Sequence, residues 1–192
     1  MDSQRSIIMS NKLNRREMLS CTGCIVAFGC STGLTQAQSQ KASKADLGSY
    51  CGIYCESCGL YMMSKSQTAP AKVKCLGCKS NKLAPHCQNC PIKACAAAKG
   101  IKSCGKCKTF PCDKTKKFHS NGKDFALVAE MNCYTLTGLD YKQWLKAQKT
   151  RWTCPKCGEF LSNRTEKCPK CGKDIYSLKE EAQAYKRFRK GE

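Results

Sequence analysis

Beyond the first thirty residues the chain has sixteen cysteines, and twelve of them stand in six Cys-x-x-Cys pairs: Cys55/Cys58, Cys75/Cys78, Cys87/Cys90, Cys104/Cys107, Cys154/Cys157 and Cys168/Cys171. Two intervening residues let a tight turn aim both sulfurs at one ion about 2.3 Å away, and two facing turns complete a tetrahedral site. A disulfide inside such a pair closes a very small loop and stabilises little. Repetition of the spacing therefore points to metal, with zinc as the expected ion, and away from a disulfide scaffold.

The two C-terminal pairs carry the sharpest signal. Cys154-Pro155-Lys156-Cys157-Gly158 and Cys168-Pro169-Lys170-Cys171-Gly172 repeat one pattern. Proline stiffens each turn, and glycine lets the chain leave it with positive φ. Ten residues separate the pairs, and Phe160-Leu161 followed by Asn163-Arg164 suits a short hairpin. The segment 151–176 resembles a zinc ribbon, a short β unit closed by its own four ligands. Beyond it, Ser177 and Glu180 have capping-box spacing and open a basic terminal helix within residues 177–192.

The core segment, residues 47–150, is denser and less easily partitioned. Cys51, Cys55 and Cys58 have the Cys-x3-Cys-x2-Cys spacing of a radical-SAM cluster loop, but no βα alternation follows to build the barrel which that chemistry needs. Eight residues separate the Cys75/Cys78 and Cys87/Cys90 pairs, close enough for one four-thiolate site. Cys87, Cys90 and Cys95 then recur seventeen residues later as Cys104, Cys107 and Cys112, the mark of a small duplicated unit. The repeat leaves open whether Cys87/Cys90 pairs forwards or backwards.

Elements must position these residues. Pro91 starts a short helix that Gly100 stops. Phe125, Leu127, Val128, Met131 and Tyr134 form an imperfect helical stripe. Asp140 is an expected N-cap for a helix carrying Tyr141, Trp144, Leu145 and Gln148. Cys133, alone on the first of these helices, is expected to be a buried structural thiol. His86 and His119 lack zinc-finger spacing to any partner and are expected at the surface.

The ordered run Cys51-Gly52-Ile53-Tyr54-Cys55-Glu56-Ser57-Cys58, Cys75-Leu76-Gly77-Cys78, Cys90-Pro91-Ile92-Lys93-Ala94-Cys95, Cys104-Gly105-Lys106-Cys107 and Phe110-Pro111-Cys112 resembles a bacterial and archaeal cysteine-rich family, domain of unknown function 3795. The resemblance covers roughly residues 50–150. It implies a small metal-binding-like module and brings no established activity.

Composition agrees that metal must replace a conventional core. After the N-terminal segment roughly one residue in seven is Leu, Ile, Val or Phe, a share at which chains ordinarily stay disordered. A structural zinc contributes on the order of 10 kcal/mol of apparent folding free energy. The fold expected is a small, irregular, mostly α cysteine-rich domain stabilised by metal, followed by the short β ribbon. The formal charge of +20 counts every cysteine as neutral. Four-thiolate zinc sites would lower it, and the basic excess that remains suits either contact with phosphates or acidic polymers or lysines that offset thiolate charge and keep a core-poor chain soluble.

The N-terminus reads as an address. Asn14-Arg15-Arg16-Glu17-Met18-Leu19 resembles a twin-arginine export signal, with Arg15 and Arg16 as the recognised pair. The apolar stretch behind it is too short to span a bilayer and suits a signal segment over residues 1–37, followed by a linker at 38–46. Cys30 is a candidate for lipidation; cleavage after Ala37 is the alternative. Export of an already folded chain would let its thiolates take metal before they meet an oxidising compartment. The chain is then periplasmic, or anchored on the outer face of the cytoplasmic membrane.

Three function classes follow. One is a non-catalytic structural or interaction module holding zinc, with the export machinery and an unidentified protein as partners. Another is an iron–sulfur redox protein using Cys51, Cys55, Cys58 and one later cysteine. The third is a nucleic-acid-binding zinc protein, which the export signal argues against. No nucleophile–base set, paired acids or phosphate loop is assembled, so catalysis is not expected.

Overall fold

Proline and glycine punctuate the cysteine-rich segment so often that its helices stay at eight residues or fewer. The computed structural model describes residues 46–66 and 74–191. The signal segment with Arg15 and Arg16, Cys30, the Ala37 cleavage point and nearly all of the linker lie outside the described residues. Within them, α1 (Gly59–Lys65) follows a 3-10 turn at Cys55–Ser57. Next come α2 (Pro85–Gln88) and α3 (Pro91–Ala98). A second 3-10 turn, Cys104–Lys106, leads to α4 (Asp113–His119). The longer helices are α5 (Asp124–Gly138), α6 (Tyr141–Arg151) and α7 (Leu178–Lys190). The chain is mostly helical and cysteine-rich, and all described residues belong to one compact unit.

Helix α5 is the spine on which the cysteine loops rest. Its buried face is Ala126, Val128, Ala129, Asn132, Cys133 and Leu136. The expected stripe is rotated away from this face: only Val128 is buried, and Tyr134 is 44% exposed. The reason is steric. Small residues on α5 admit backbone, and a Cβ on Gly52 would lie 2.1 Å from the Ala129 carbonyl oxygen, one on Gly105 2.2 Å from that of Cys133. Two cysteine loops thus press on successive turns of one helix.

Helix α6 begins as expected, with the Asp140 side chain accepting from the amides of Lys142 and Gln143. Its Tyr141 and Trp144 join Tyr54, Leu136 and Trp152 in the largest aromatic cluster. The capping box at Ser177 and Glu180 forms in both halves. Helix α7 then turns back along α5, burying Ala182 and Tyr185 and joining Arg189 to Glu130 at 2.7 Å.

Two expectations need correction. No strand forms among the described residues in 151–176; each knuckle is closed by one isolated bridge, Thr153 with Phe160 and Lys167 with Asp174. The backbone that would extend the pairing bonds elsewhere, since the Asn163 N–H donates to the Ser57 carbonyl at 2.8 Å. His119 is not a surface residue but 2% exposed, its Nε2 placed 3.1 Å from the Cys51 carbonyl. Helix α6 ends at Arg151, and Trp152 just beyond it is buried. Cys133 is fully buried, as expected. No described helix is long and apolar enough to cross a membrane.

Candidate metal centre

Each C-terminal knuckle is built by the same local bonds. The Cys154 N–H donates to the Glu159 carbonyl and the Gly158 N–H returns to the Cys154 carbonyl; Cys168, Lys173 and Gly172 repeat the pattern. Gly158 and Gly172 have φ of +75° and +71°, which an L side chain adopts only with strain. The turns bring the sulfurs of Cys154, Cys157, Cys168 and Cys171 within 4.8 Å of one another. Cys154 and Cys171 are 3.7 Å apart, Cys157 and Cys168 3.5 Å. A tetrahedron of sulfurs about 2.3 Å from a central ion has edges of about 3.8 Å. The four residues fit a metal ion in number, softness and spacing. Among the described residues no other group of Cys, His, Asp or Glu converges this closely.

The electrostatics also fit a cation. Burial would raise the Cys154 thiol, but hydrogen bonds from the Cys157 and Lys156 amides and from neighbouring thiols outweigh it and bring it down to about 6. Cys157 is pushed up to about 12: the Glu159 amide favours its thiolate, but burial and the adjoining Cys171, Cys168 and Cys154 sulfurs hold its proton. Cys154 yields its proton readily, and Cys157 keeps its own unless positive charge enters the cluster. Leu161 and Ile175 pack against the cysteines and help bury Cys154 and Cys168, while Cys157 and Cys171 stay half-buried.

The other predicted ligands fall into two adjoining neighbourhoods, which meet where Cys51 and Cys90 pack against the buried cluster that holds Cys104. In the first, the Cys78 N–H donates to Cys55 Sγ at 3.4 Å. Cys87 lies in the field of Cys75, Cys78, Cys51 and Cys90, and Cys58 lies beside Cys55. Burial raises Cys51 to about 11 and Cys87 to about 12. In the second, Cys95, Cys104, Cys107 and Cys112 line one cavity. Burial raises Cys104 to about 12, whereas hydrogen bonds from Thr109 lower Cys107 and the Thr115 amide lowers Cys112. All sixteen cysteines from Cys51 onward are free thiols.

Several supporting residues escape sequence reading. Lys99 Nζ lies 3.6 Å from Cys107 Sγ. Lys79 Nζ reaches Asp46 at 2.8 Å and the Tyr141 hydroxyl at 2.7 Å, fixing the Cys75/Cys78 turn to α6. Buried Asn132 donates to the Gly52 carbonyl at 2.9 Å and accepts from Gln148 at 3.1 Å. Only the i, i+4 spacing of Cys95 and Lys99 carried a local hint.

No curated protein and no solved structure matches the chain. Residues 47–117 match the family model described as a protein of unknown function (DUF3795). The matched span holds every cysteine from Cys51 to Cys112 and ends before α5, so the cysteine loops are similar to that family while their helical spine and the C-terminal knuckles lie beyond the match.

Proposed function

We propose that this chain is an exported zinc-binding module whose role is structural or interactive, not catalytic. The observation that carries the reading is the convergence of Cys154, Cys157, Cys168 and Cys171 at tetrahedral sulfur spacing. Four thiolates close the coordination sphere, whereas a catalytic zinc keeps a position open. Softness favours zinc or iron over harder ions, and the zinc-ribbon resemblance of the knuckles favours zinc. Export rests on the Arg15-Arg16 signal; delivery of a folded, loaded chain makes the thiolates compatible with an oxidising destination. In this reading the partners are the twin-arginine machinery and a protein outside the cytoplasm, with Cys30 as a candidate lipid anchor.

Metal analysis with visible spectroscopy on anaerobically purified full-length chain tests it. The expected protein is colourless and carries about three zinc ions, one in the knuckles and two among the core cysteines. Stoichiometric iron with a cluster absorption band would replace the zinc reading with the redox one. Changing Arg15 and Arg16 together to Lys is expected to trap the chain inside the cell, and continued export would remove the address.

A further inference from the structure

We infer that Cys95, Cys104, Cys107 and Cys112 form a second metal site, for one thiophilic divalent ion, with the Lys99 ammonium as its outer hydrogen-bond donor. The inference rests on reading the chain as metal-binding, and it goes further by assigning four of the core cysteines to one ion.

The placement comes from three consecutive pieces of backbone. Helix α3 carries Cys95 and is capped by Lys99, so both project towards the same side one turn apart. Cys104 opens a 3-10 turn and Cys107 ends it, the Cys107 N–H bonding back to the Cys104 carbonyl at 2.9 Å. Cys112 is the N-cap of α4. The four line one cavity with Ala96, Ile101 and Phe110. Their sulfurs are spread more widely than those of the knuckles, and Cys107 Sγ is turned towards Thr109 Oγ1 at 3.3 Å and Lys99 Nζ at 3.6 Å. Rotation of exposed-edge side chains on an already formed backbone would close the set.

The charge balance is also suitable. Four thiolates on a divalent ion leave two negative charges, and an ammonium at the rim offsets part of that excess while donating to one sulfur. The duplicated Cys-x2-Cys-x4-Cys pattern is thereby cut across. Cys95 belongs to the first copy by spacing but to the second copy's cavity by position. Cys51, Cys55, Cys58, Cys75, Cys78, Cys87 and Cys90 remain for the other neighbourhood.

The test uses the full chain loaded with Zn2+ and stripped by increasing chelator, with thiols alkylated at each step and mapped by mass spectrometry. Cys95, Cys104, Cys107 and Cys112 are expected to lose protection together. If Cys104 and Cys107 open in step with Cys87 and Cys90 instead, or if Zn2+ protects none of the four, the assignment is overturned. Cys107→Ser should bind one ion fewer while Cys154, Cys157, Cys168 and Cys171 stay protected; unchanged metal content overturns it. Cys157→Ser is the separate control: its failure to lose an ion would refute the knuckle site and leave this one standing. Lys99→Met should keep the ion but weaken its competition with chelator about tenfold, a readout that needs no ligand to be removed. An unaltered competition curve would remove Lys99 from the assignment.

Discussion

Replacing Arg151 with Met should destabilise the chain far more than replacing its partner Glu181 with Gln, and the penalty should depend on pH. Arg151 Nη2 donates to Glu181 Oε2 at 3.0 Å and to the Tyr176 carbonyl at 2.7 Å. Its guanidinium lies 4.1 Å from the Trp152 ring centre and 5.3 Å from that of Tyr176. The Glu181 side chain is 5% exposed and that of Arg151 13%. Met leaves a buried carboxylate without a counter-charge, for which about 3–5 kcal/mol is the usual cost. In Glu181→Gln the guanidinium keeps the carbonyl, two ring faces and some contact with water, so the loss is smaller. With a urea dependence of about 1–3 kcal/mol per molar, the Arg151→Met midpoint should fall by about 1 M or more. Fluorescence of buried Trp144 and Trp152 in zinc-saturated protein reports the transition. Burial already raises the Glu181 carboxyl, though Arg151 pulls it down. A raised folded value means that Glu181 favours the folded state below its unfolded pKa, and this contribution is lost as pH rises through the folded value. Without Arg151 that value rises further, so the penalty should be larger near about pH 8 than near about pH 5. The double variant Arg151→Met/Glu181→Gln should recover much of the loss. A penalty below about 1 kcal/mol that is equal at both pH values would refute the buried-pair argument.

Two further outcomes are expected from the way the loops meet α5. Gly105→Ala forces a Cβ to 2.2 Å from the Cys133 carbonyl oxygen and 2.8 Å from Leu136 Cβ; a loss of about 1–3 kcal/mol in urea unfolding is expected, and a neutral substitution would mean that the turn does not rest on the helix. The His119 ring should titrate below the ordinary value of about 6.5, because burial disfavours its charged form despite the Cys51 carbonyl. Its depressed value contributes stability above pH 6.5 or so that is lost as pH falls through the folded value. Proton NMR titration checks this, and a value at or above the ordinary one would show the ring open to water.

What could be read in advance was whatever two or three neighbouring residues decide. The knuckles were legible because Pro, Gly and the two cysteines of each turn act within five positions, and Asp140 and the Ser177/Glu180 box because a cap is a local bond. The buried face of α5 was not legible, because it is chosen by the approach of Gly52 and Gly105, 77 and 28 residues upstream of Ala129 and Cys133 respectively. A search for large apolar residues necessarily prefers Phe125 and Tyr134 to Ala126 and Ala129. The strands expected between the knuckles failed for a related reason: pairing potential is local, but the Asn163 amide found the Ser57 carbonyl.

The core cysteines show the same limit in its chemical form. Sequence periodicity groups Cys87, Cys90 and Cys95 with one another, and Cys104, Cys107 and Cys112 likewise. Helix α3 intervenes between Cys90 and Cys95: Cys90 caps its start while Cys95 lies on its second turn. Five positions on a helix rotate a side chain by about 500°, or 140° from its starting face. Two cysteines with that separation cannot share a face, so a Cys-x4-Cys spacing across a helix start divides its sulfurs between neighbours. The first neighbourhood therefore receives Cys90, and the cavity over Cys104 receives Cys95. Ligand spacing identifies sites only where the intervening residues form a turn; where they form a helix, the helix assigns the ligand.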